Sequence, residues 1–204
     1  MSKIVITGIS SFIGVHLVKY FSQNKYNVIG TINRDISTYD VIRKTRITEA
    51  SNSKVKINKL DITQPAELID IINEIKPDYW IHHGGWAKDY GSFGYDFFNG
   101  FEVNVRPLST LYSALKKCGC KGIIITGSSA EYSDGNQADQ ETDLAFPNMP
   151  YGLSKLTETL YARQLANNYN LPTRIARVYI PFGAWDSPNK LIPSVINNLK
   201  ENKS

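Results

Sequence analysis

The sequence lacks most of the features that mark specialised protein classes. With only two cysteines in 204 residues, Cys118 and Cys120, it has too few for a disulfide framework or for a metal site built from cysteine. No apolar run reaches membrane-spanning length, and a strand pattern over residues 1–6 leaves no room for a signal peptide. The net charge of +4 is spread without a basic block, which does not favour nucleic acid as a partner. We therefore expect a cytoplasmic protein with one core and reduced thiols, and without a metal, a membrane segment or a nucleic-acid partner.

The sequence does contain a regular alternation of strand and helix patterns. Short runs rich in β-branched residues predict buried strands, and apolar residues at helical spacing predict helices between them. Strands are expected at 3–7, 26–32, 55–60, 79–82, 122–126 and 174–180, and helices at 12–24, 65–75, 101–118, 153–169 and 190–200. The polar stretch 35–53 predicts a loop with a short helix, and 133–150 predicts a polar loop. This alternation predicts an α/β fold with a doubly wound parallel sheet.

The turn after the first strand is rich in glycine and serine. It reads Thr7-Gly8-Ile9-Ser10-Ser11-Phe12-Ile13-Gly14 and leads directly into a helix pattern. A strand, a glycine-rich turn, a helix and a second strand present backbone N–H groups and a helix N-terminus to a pyrophosphate. The turn therefore predicts a dinucleotide site.

A tyrosine and a lysine, Tyr151 and Lys155, begin the long helix pattern near the end of the chain. Four residues apart, they lie one turn apart on the same helical face. An unperturbed phenol titrates near ~10, and a neighbouring ammonium lowers that pKa toward the range useful for acid–base catalysis. The pair alone is a weak signal, because a helix can carry a surface tyrosine and lysine at this spacing by chance.

In several motifs the sequence resembles the extended short-chain dehydrogenase/reductase family, which contains nucleotide-sugar epimerases, dehydratases and ketoreductases. The motifs follow the family's order and are the turn at 7–14, Asp61-Ile62, His82-His83-Gly84-Gly85, Asn104, Ser128-Ser129-Ala130-Glu131-Tyr132, Tyr151 and Lys155. The resemblance covers Lys3 to about Lys200. It implies an NAD(P)-binding Rossmann domain over residues 1–180 and, at 181–204, the beginning of a substrate-binding region that is truncated relative to the family.

The resemblance also implies roles for individual residues. Ser128, Tyr151 and Lys155 would be catalytic, with Tyr151 exchanging the proton of a sugar hydroxyl. Substrate contacts would come from Ser128, Ser129 and Tyr151, with Ser129 as the competitor of Ser128 for the catalytic role. The residues implied in cofactor binding are Gly8, Ser11, Phe12, Ile13, Gly14, Asn33, Arg34, Asp61, Ile62, Gly84, Gly85, Tyr151, Lys155 and Pro181. The substrate would be a nucleotide sugar.

Two of these motif residues have other readings, and three segments depart from the family. Asp61 could cap a helix instead of binding adenine, and Asn104 is expected to brace the active-site helix rather than to do chemistry. Ser11 replaces the middle glycine of the turn, and residues 180–185 differ from the family's loop facing the nicotinamide. The acidic residue that commonly binds the ribose is replaced by Ile32-Asn33-Arg34, which favours NADP over NAD unless Arg34 is simply solvated.

Three functions fit these residues. The favoured one is an NADP-dependent 4-ketoreductase of a nucleotide-linked 4-keto sugar, because a reductase exchanges its cofactor at each turnover and Arg34 favours NADPH. The alternative is a nucleotide-sugar 4-epimerase with a retained NAD, and the third is a non-catalytic dinucleotide-binding partner, which the presence of Tyr151 and Lys155 disfavours. Dehydration is disfavoured because Ala130 stands where the family's dehydratases carry a carboxylate, and the neighbouring Glu131 should point to the opposite side.

The helices expected at 101–118 and 151–169 carry more apolar residues than contact with one sheet requires. These residues are Leu108, Leu111, Tyr112, Leu115, Leu156, Leu160 and Leu165. In the resembling family the two helices pair with their copies in a four-helix seam, so we expect a homodimer. The aromatic stretch 86–101 is expected either to line the substrate site or to pack as a cluster under a long loop.

Overall fold

The centre of the fold is a six-stranded sheet in which every neighbouring pair is parallel. The computed structural model describes residues 1–133 and 139–201, so the expected polar loop and tail lie partly outside the described residues, at 134–138 and 202–204. The strands are β1 (Lys3–Ile6), β2 (Asn27–Ile32), β3 (Lys56–Lys59), β4 (Tyr79–His82), β5 (Gly122–Ser128) and β6 (Thr173–Val178).

The strand order is β3-β2-β1-β4-β5-β6, which confirms the doubly wound parallel sheet. Ile4, Val5 and Ile6 of β1 are all buried, as expected of a strand covered on both faces. The order reverses between β1 and β4. In open α/β sheets the crevice outside the carboxyl ends of the strands at such a point is where ligands bind.

The described residues form seven α-helices, and the last of them has no buried residue. They are α1 (Phe12–Gln23), α2 (Val41–Asn52), α3 (Pro65–Ile75), α4 (Phe97–Gly100), α5 (Leu108–Lys117), α6 (Pro150–Tyr169) and α7 (Leu191–Lys200). The bounds of α3 are those predicted. α2 has 12 residues and is longer than the short helix expected at 35–53, because Asp40 caps it by accepting a hydrogen bond from the Arg43 amide at 2.8 Å.

The segment expected as one helix at 101–118 is divided. The single turn of α4 runs into a π-helix at Phe101–Val105, and α5 begins after Pro107. Pro107 has no amide hydrogen, so it fits the start of a helix and not its interior. The π-helix buries Asn104, which faces the protein rather than solvent.

The core lies in two layers, one on each face of the sheet. The layer against α3, α5 and α6 contains most of the apolar residues expected on an outer seam, namely Leu108, Leu111, Tyr112, Leu115 and Leu165. The expectation is wrong for these residues, because α5 packs against both α3 and α6 and needs apolar side chains toward each. Leu160, in contrast, is 55% exposed.

The next two observations apply only to the described residues. None of their helices combines the length and the apolar character needed to cross a bilayer. Cys118 and Cys120 are free thiols. Burial raises the pKa of Cys120 to about 11, so this thiol is protonated and unreactive near neutral pH.

Candidate active site

The start of α6 lies against the carboxyl end of β5 because Gly152 has no side chain. A Cβ added there would overlap the carbonyl oxygen of Ala130 and lie 2.9 Å from its carbonyl carbon. Ala130 belongs to a short 3-10 turn, Ser129–Glu131, that follows β5 directly. The close approach therefore brings Tyr151, the neighbour of Gly152, beside Ser128.

Tyr151 is enclosed by hydroxyl and aromatic groups. Its hydroxyl is hydrogen-bonded to the Ser128 side chain. Its ring packs edge-on against Tyr90 and Tyr95, with centroid distances of 5.7 and 5.5 Å, so the aromatic stretch 86–101 contributes side chains to the site. Burial raises the pKa of Tyr151 above its ordinary value, although a neighbouring ammonium opposes the shift. At neutral pH this side chain is a protonated phenol that can donate its proton.

The neighbouring ammonium belongs to Lys155, which is ion-paired with Glu158 three residues further along α6. The two side chains are only 11% and 3% exposed. Burial lowers the pKa of Lys155, but the charge of Glu158 and the nearby Tyr151 outweigh burial and raise that pKa above its ordinary value. Burial likewise raises the pKa of Glu158, and Lys155 opposes that shift. The sequence analysis missed Glu158, which shares one helical face with the other two residues because positions 151, 155 and 158 follow the helical repeat.

A second buried ion pair fixes the turn that carries Ser128. Glu131 is fully buried and accepts hydrogen bonds from the Ser128 amide at 2.9 Å and from Arg177 Nε at 2.8 Å. Arg177 also donates to the Tyr132 hydroxyl. Both Glu131 oxygens are therefore engaged, which agrees with the expectation that this carboxylate does not serve as a dehydratase acid. Arg177 was not anticipated, and its signal is a charged residue within the predicted strand 174–180.

Asn104 braces α6, as expected. Its Oδ1 accepts a hydrogen bond from the Trp86 amide at 2.7 Å, and its Nδ2 donates to the Ser154 hydroxyl at 3.2 Å. Ser154 is fully buried and also receives a hydrogen bond from the Tyr95 hydroxyl. The π-helix, the aromatic loop and α6 are thus joined through one asparagine next to the catalytic candidates.

The glycine turn forms a narrow cradle at the switch point of the sheet. Gly8 has φ +71°, and a Cβ there would lie 2.7 Å from the Gly84 Cα. Thr7 Oγ1 joins β1 to β4 by accepting hydrogen bonds from the amides of His83 and Gly84 at 2.8 and 2.7 Å. Gly85 follows beside Asn104 Oδ1. Gly8 and Gly84 therefore present bare backbone beside the Thr7 hydroxyl, as the close approach of a pyrophosphate requires.

Ser11, which departs from the family pattern, contacts His83 in this cradle. Ser11 caps α1 by accepting a hydrogen bond from the Gly14 amide at 2.9 Å, and its hydroxyl lies 2.6 Å from His83 Nε2. Phe12 and Ile13 occupy the first turn of α1, where amide groups are not used by the helix and can face an anion. Burial, and then the charge of Lys155, lowers the pKa of His83 to about 4, so its imidazole is neutral.

Tyr39 organises the segment that follows β2. Its hydroxyl accepts a hydrogen bond from the Asn33 amide at 3.2 Å and donates to Asn33 Oδ1 at 2.6 Å. The Arg34 guanidinium lies 4.5 Å from the centre of the Tyr39 ring and is exposed at the mouth of the crevice. Arg34 is therefore held near the carboxyl end of β2, where a ribose phosphate would lie.

Asp61 and Ile62, where the resemblance implies contact with adenine, follow β3. Asp61 Oδ1 accepts hydrogen bonds from the amide and the hydroxyl of Thr63 at 3.0 and 2.7 Å. Asp61 thus stabilises the turn before α3, but the N-cap of that helix is Gln64, so the capping alternative is not what the structure shows. Ile62 is buried in the core layer that contains β1.

The chain after β6 returns to the start of α1. Pro181 lines a groove of about 340 Å³ together with Phe12 and Ile13. Arg46 of α2, which sequence analysis did not single out, donates from Nε to the Trp185 carbonyl at 2.9 Å. The loop that carries Pro181 is therefore fastened beside the glycine turn.

The structure brings Ser128, Tyr151 and Lys155 together, with Ser129 one residue further along the 3-10 turn. Of the residues expected to bind the cofactor, Gly8 and Gly84 are in close contact at the carboxyl ends of β1 and β4, where the absence of side chains leaves backbone free to approach a dinucleotide, whereas Ile62 is buried in the core. In residues 1–133 and 139–201, no three His, Cys, Asp or Glu side chains are grouped to hold a metal ion. The arrangement suits proton transfer beside a bound redox cofactor.

Comparison with known proteins identifies related sequences and folds. A model of the NAD dependent epimerase/dehydratase family matches residues 4–204. The chain is 26% identical to a UDP-glucose 4-epimerase of Pisum sativum over 207 residues, which cover 95% of the chain and 59% of that protein. It is 27% identical to a dTDP-glucose 4,6-dehydratase of Neisseria meningitidis over 217 residues, which cover 100% of the chain and 60% of that protein. The chain thus spans about three fifths of the length of these two relatives.

Solved structures show the same similarity. The UDP-glucuronic acid 4-epimerase of Bacillus cereus, in complex with UDP-glucuronic acid and NAD, superposes with a TM-score of 0.83 at 25% identity. The match covers 98% of the chain and 64% of that protein. A UDP-N-acetylglucosamine 4-epimerase of Methanobrevibacter ruminantium has a TM-score of 0.82 at 24% identity, which bears on the fold alone.

Proposed function

The chain belongs to the NAD dependent epimerase/dehydratase family, and on that premise we propose that it catalyses NAD(P)-dependent hydride transfer at C4 of a nucleotide-linked sugar. The observation that carries the proposal is the meeting of Ser128, Tyr151 and Lys155 beside a glycine cradle. The 4-epimerases among the relatives support C4 as the reacting position.

In this proposal each residue has a separate task. Tyr151 exchanges a proton with the C4 oxygen, Ser128 orients that oxygen by a hydrogen bond, and Lys155 supplies the positive charge that favours the phenolate when the proton leaves. When bound, the dinucleotide supplies and accepts the hydride. The cradle around Gly8 and Gly84 would hold its pyrophosphate, with the first amides of α1 as donors.

Among the reactions of the family we propose 4-epimerisation. A dehydratase needs additional acid–base carboxylates, but Ala130 has none and both oxygens of Glu131 are occupied by the Ser128 amide and Arg177. An epimerase needs no further group, only a retained cofactor and room for the sugar to turn. The relatives therefore reverse the order favoured from the sequence, in which the ketoreductase came first.

A 4-ketoreductase is the second candidate, and Arg34 is the observation that supports it. The guanidinium lies beside Tyr39 at the end of β2. The segment Ile32-Asn33-Arg34 contains no carboxylate that would repel a 2′-phosphate there. NADPH is the cofactor that a reductase exchanges at each turnover. The preference for NADP over NAD is part of this second proposal.

Stoichiometry distinguishes the two candidates. A thermal-shift screen with NAD(H), NADP(H) and UDP-, dTDP-, GDP- and CDP-sugars first identifies the ligands that stabilise the protein. The selected sugar is then incubated with the protein while the absorbance of reduced nicotinamide is followed. Interconversion of two sugars without net absorbance change supports the epimerase, and one NADPH consumed per 4-keto sugar supports the reductase. If neither reaction occurs with any of these sugars, both proposals are contradicted.

We further propose a homodimer with a seam shifted from the one expected from sequence. Since α5 buries its apolar residues, the exposed apolar residues of this face are Phe101 and Leu160, which line an open groove of about 620 Å³ together with the partly buried Tyr161. Light scattering at micromolar concentration should give twice the monomer mass. Leu160→Glu should return the mass to that of a monomer, whereas Leu144→Glu, an exposed leucine outside the groove, should not.

A further inference from the structure

The face of α6 that carries Tyr151 also carries a buried carboxylate with no assigned task. Tyr151, Lys155 and Glu158 follow one another at one-turn spacing, and Glu158 is ion-paired with Lys155. Removing a carboxylate from water is costly unless it is paired, so its place beside the ammonium is strongly specified. Glu158 belongs to the immediate surroundings of the pair that moves the proton.

Charged and titratable groups reach this point from several elements. They are Lys155 and Glu158 of α6, Glu131 of the 3-10 turn, Arg177 of β6, Tyr90 and Tyr95 of the aromatic loop, Tyr112 of α5, His82 of β4 and His83 directly after it. Burial lowers the pKa of His82 to about 3, so this imidazole is neutral at neutral pH, as is that of His83. Glu131 and Arg177 compensate each other in their own pair.

The charges that act on Tyr151 are the ammonium of Lys155 and the carboxylates of Glu158 and, more weakly, Glu131. The Lys155 ammonium alone would stabilise the Tyr151 phenolate. The carboxylate of Glu158, three residues after Lys155, offsets much of that effect. The Lys155 ammonium thus favours ionisation of the Tyr151 phenol, and the Glu158 carboxylate opposes it. Burial is the main cause that raises the pKa of Tyr151, and the charge of Glu158 adds to that shift.

We propose that Glu158 is a positioning residue that holds the Lys155 ammonium on this face of α6 and, by compensating its charge, keeps Tyr151 protonated until a ligand changes the balance. The inference rests on the proposed function only in treating Tyr151 as the acid–base group. The residue acts through Lys155 and Tyr151 and does not itself contact the sugar.

Replacing the Glu158 carboxylate by its neutral isostere should remove its opposition to the ionisation of Tyr151. In Glu158→Gln the apparent pKa of Tyr151 should fall by about one unit, the scale expected for loss of a nearby charge. Because Tyr151 and Lys155 are coupled, the measured value belongs to the first proton lost by the pair. In an active preparation, any limb of the pH–rate profile that reports Tyr151 should move to lower pH by the same amount.

The direct measurement requires neither cofactor nor turnover. The full chain is labelled with carbon-13 at tyrosine Cζ and titrated by NMR, and the signal of Tyr151 is the one missing from Tyr151→Phe. Glu158→Gln is compared with wild type and with Glu74→Gln, which removes one carboxylate from a surface ion pair with Lys56 and should leave the Tyr151 titration unchanged. An unchanged or raised Tyr151 pKa in folded Glu158→Gln overturns the proposal.

A second variant covers the case in which Glu158→Gln does not fold because Lys155 is left uncompensated. The double variant Lys155→Gln/Glu158→Gln, in which both charges are removed together, is then compared with wild type. Because the two charges act on Tyr151 with opposite sign, its pKa should stay close to that of wild type, and a clear rise overturns the proposal by showing that Glu158 offsets little of the effect of Lys155. These titrations remain informative if no nucleotide sugar is turned over, so failure of the proposed function and failure of this inference are separate results.

Discussion

The two sides of the crevice are built from different chemistry. The dinucleotide side, around the turn at 7–14 and His83, uses backbone amides, hydroxyls and a neutral imidazole. The Tyr151 side contains two ion pairs, Lys155–Glu158 and Arg177–Glu131, whose carboxylates are buried. The first side is suited to hold a ligand through shape and amide donors, and the second to control where a proton resides.

This difference determines how each side responds to change. Acid destabilises a fold that buries a neutral imidazole, because the unfolded chain binds a proton that the folded chain cannot. A buried ion pair is weakened when one partner is removed, because the other charge is left uncompensated. Substitutions on the Tyr151 side should therefore alter activity most, and substitutions on the dinucleotide side should alter binding and stability.

The largest expected effect is that of Tyr151→Phe. Turnover should fall by roughly 10²-fold or more, because a phenyl ring cannot transfer a proton, while dinucleotide affinity stays nearly unchanged. Steady-state kinetics and calorimetry with the cofactor measure the two quantities. Tyr26→Phe, at a tyrosine that packs against Phe21 on the surface, is the matched control and should behave as wild type. Retention of half the wild-type turnover would remove Tyr151 from the acid–base role.

The next prediction tests whether two consecutive histidines are neutral, namely His82 at the end of β4 and His83 directly after it. Burial lowers the pKa of His82 to about 3 and that of His83 to about 4, below the ordinary value of 6.5. Their contribution to stability is therefore complete above about pH 6.5 and is lost as the pH falls toward 4. The free energy of unfolding should decrease by up to roughly 1.4 kcal/mol per pH unit for each histidine.

Urea unfolding at pH 7 and pH 5 measures this loss. His83→Leu removes one of the two groups, so its free energy of unfolding should change less between the two pH values than that of wild type. Equal pH dependence in the two proteins would show that His83 is not held neutral by the fold.

A smaller effect concerns the outer mouth of the dinucleotide side. Arg34→Ala should weaken NADPH binding by ~1–3 kcal/mol, the scale of a charge-assisted contact, and leave NADH binding almost unchanged. Arg43→Ala, at an exposed arginine paired with Asp40, is the control. Calorimetry that finds equal losses for NADPH and NADH, or none, would separate Arg34 from the 2′-phosphate.

The smallest effect concerns Ser11, which replaces a family glycine and caps α1. Ser11→Ala should cost about 1 kcal/mol of unfolding free energy, whereas Ser11→Gly should cost only a few tenths of that. The difference arises because the alanine loses the hydrogen bond to the Gly14 amide, while glycine leaves that amide open to water. Chemical denaturation of both variants tests it, and equal losses would show that the cap contributes little.

Local sequence determined much of this fold. The β-branched run Ile4-Val5-Ile6 forms β1, and α3 keeps its predicted bounds because Pro65 suits a helix start and Lys76 adopts the left-handed conformation that ends it. Tyr151 and Lys155 could be found from their spacing along one helix. In each case the residues that decide the structure are close in sequence.

Other features depend on contacts between distant segments, which spacing does not reveal. Glu131 meets Arg177 across β5 and β6, and Ser11 meets His83 across β1 and β4. The faces of α5 could not be assigned from periodicity, because a helix between two others is apolar on more than one side. Glu158 is the exception, since its place on the Tyr151 face was readable from the helical repeat.

The π-helix at Phe101–Val105 absorbs an extra residue. Its widened turn holds about one residue more than an α-helical turn. Removing that residue would let the turn close as an ordinary α-helical turn, so the rotational phase of α5 and the direction in which Leu108 enters the core would be kept. The side chain displaced would be that of Asn104, which lies inside the widened turn and donates to Ser154 from there. The extra residue therefore serves the position of one asparagine and not the packing of the helix that follows.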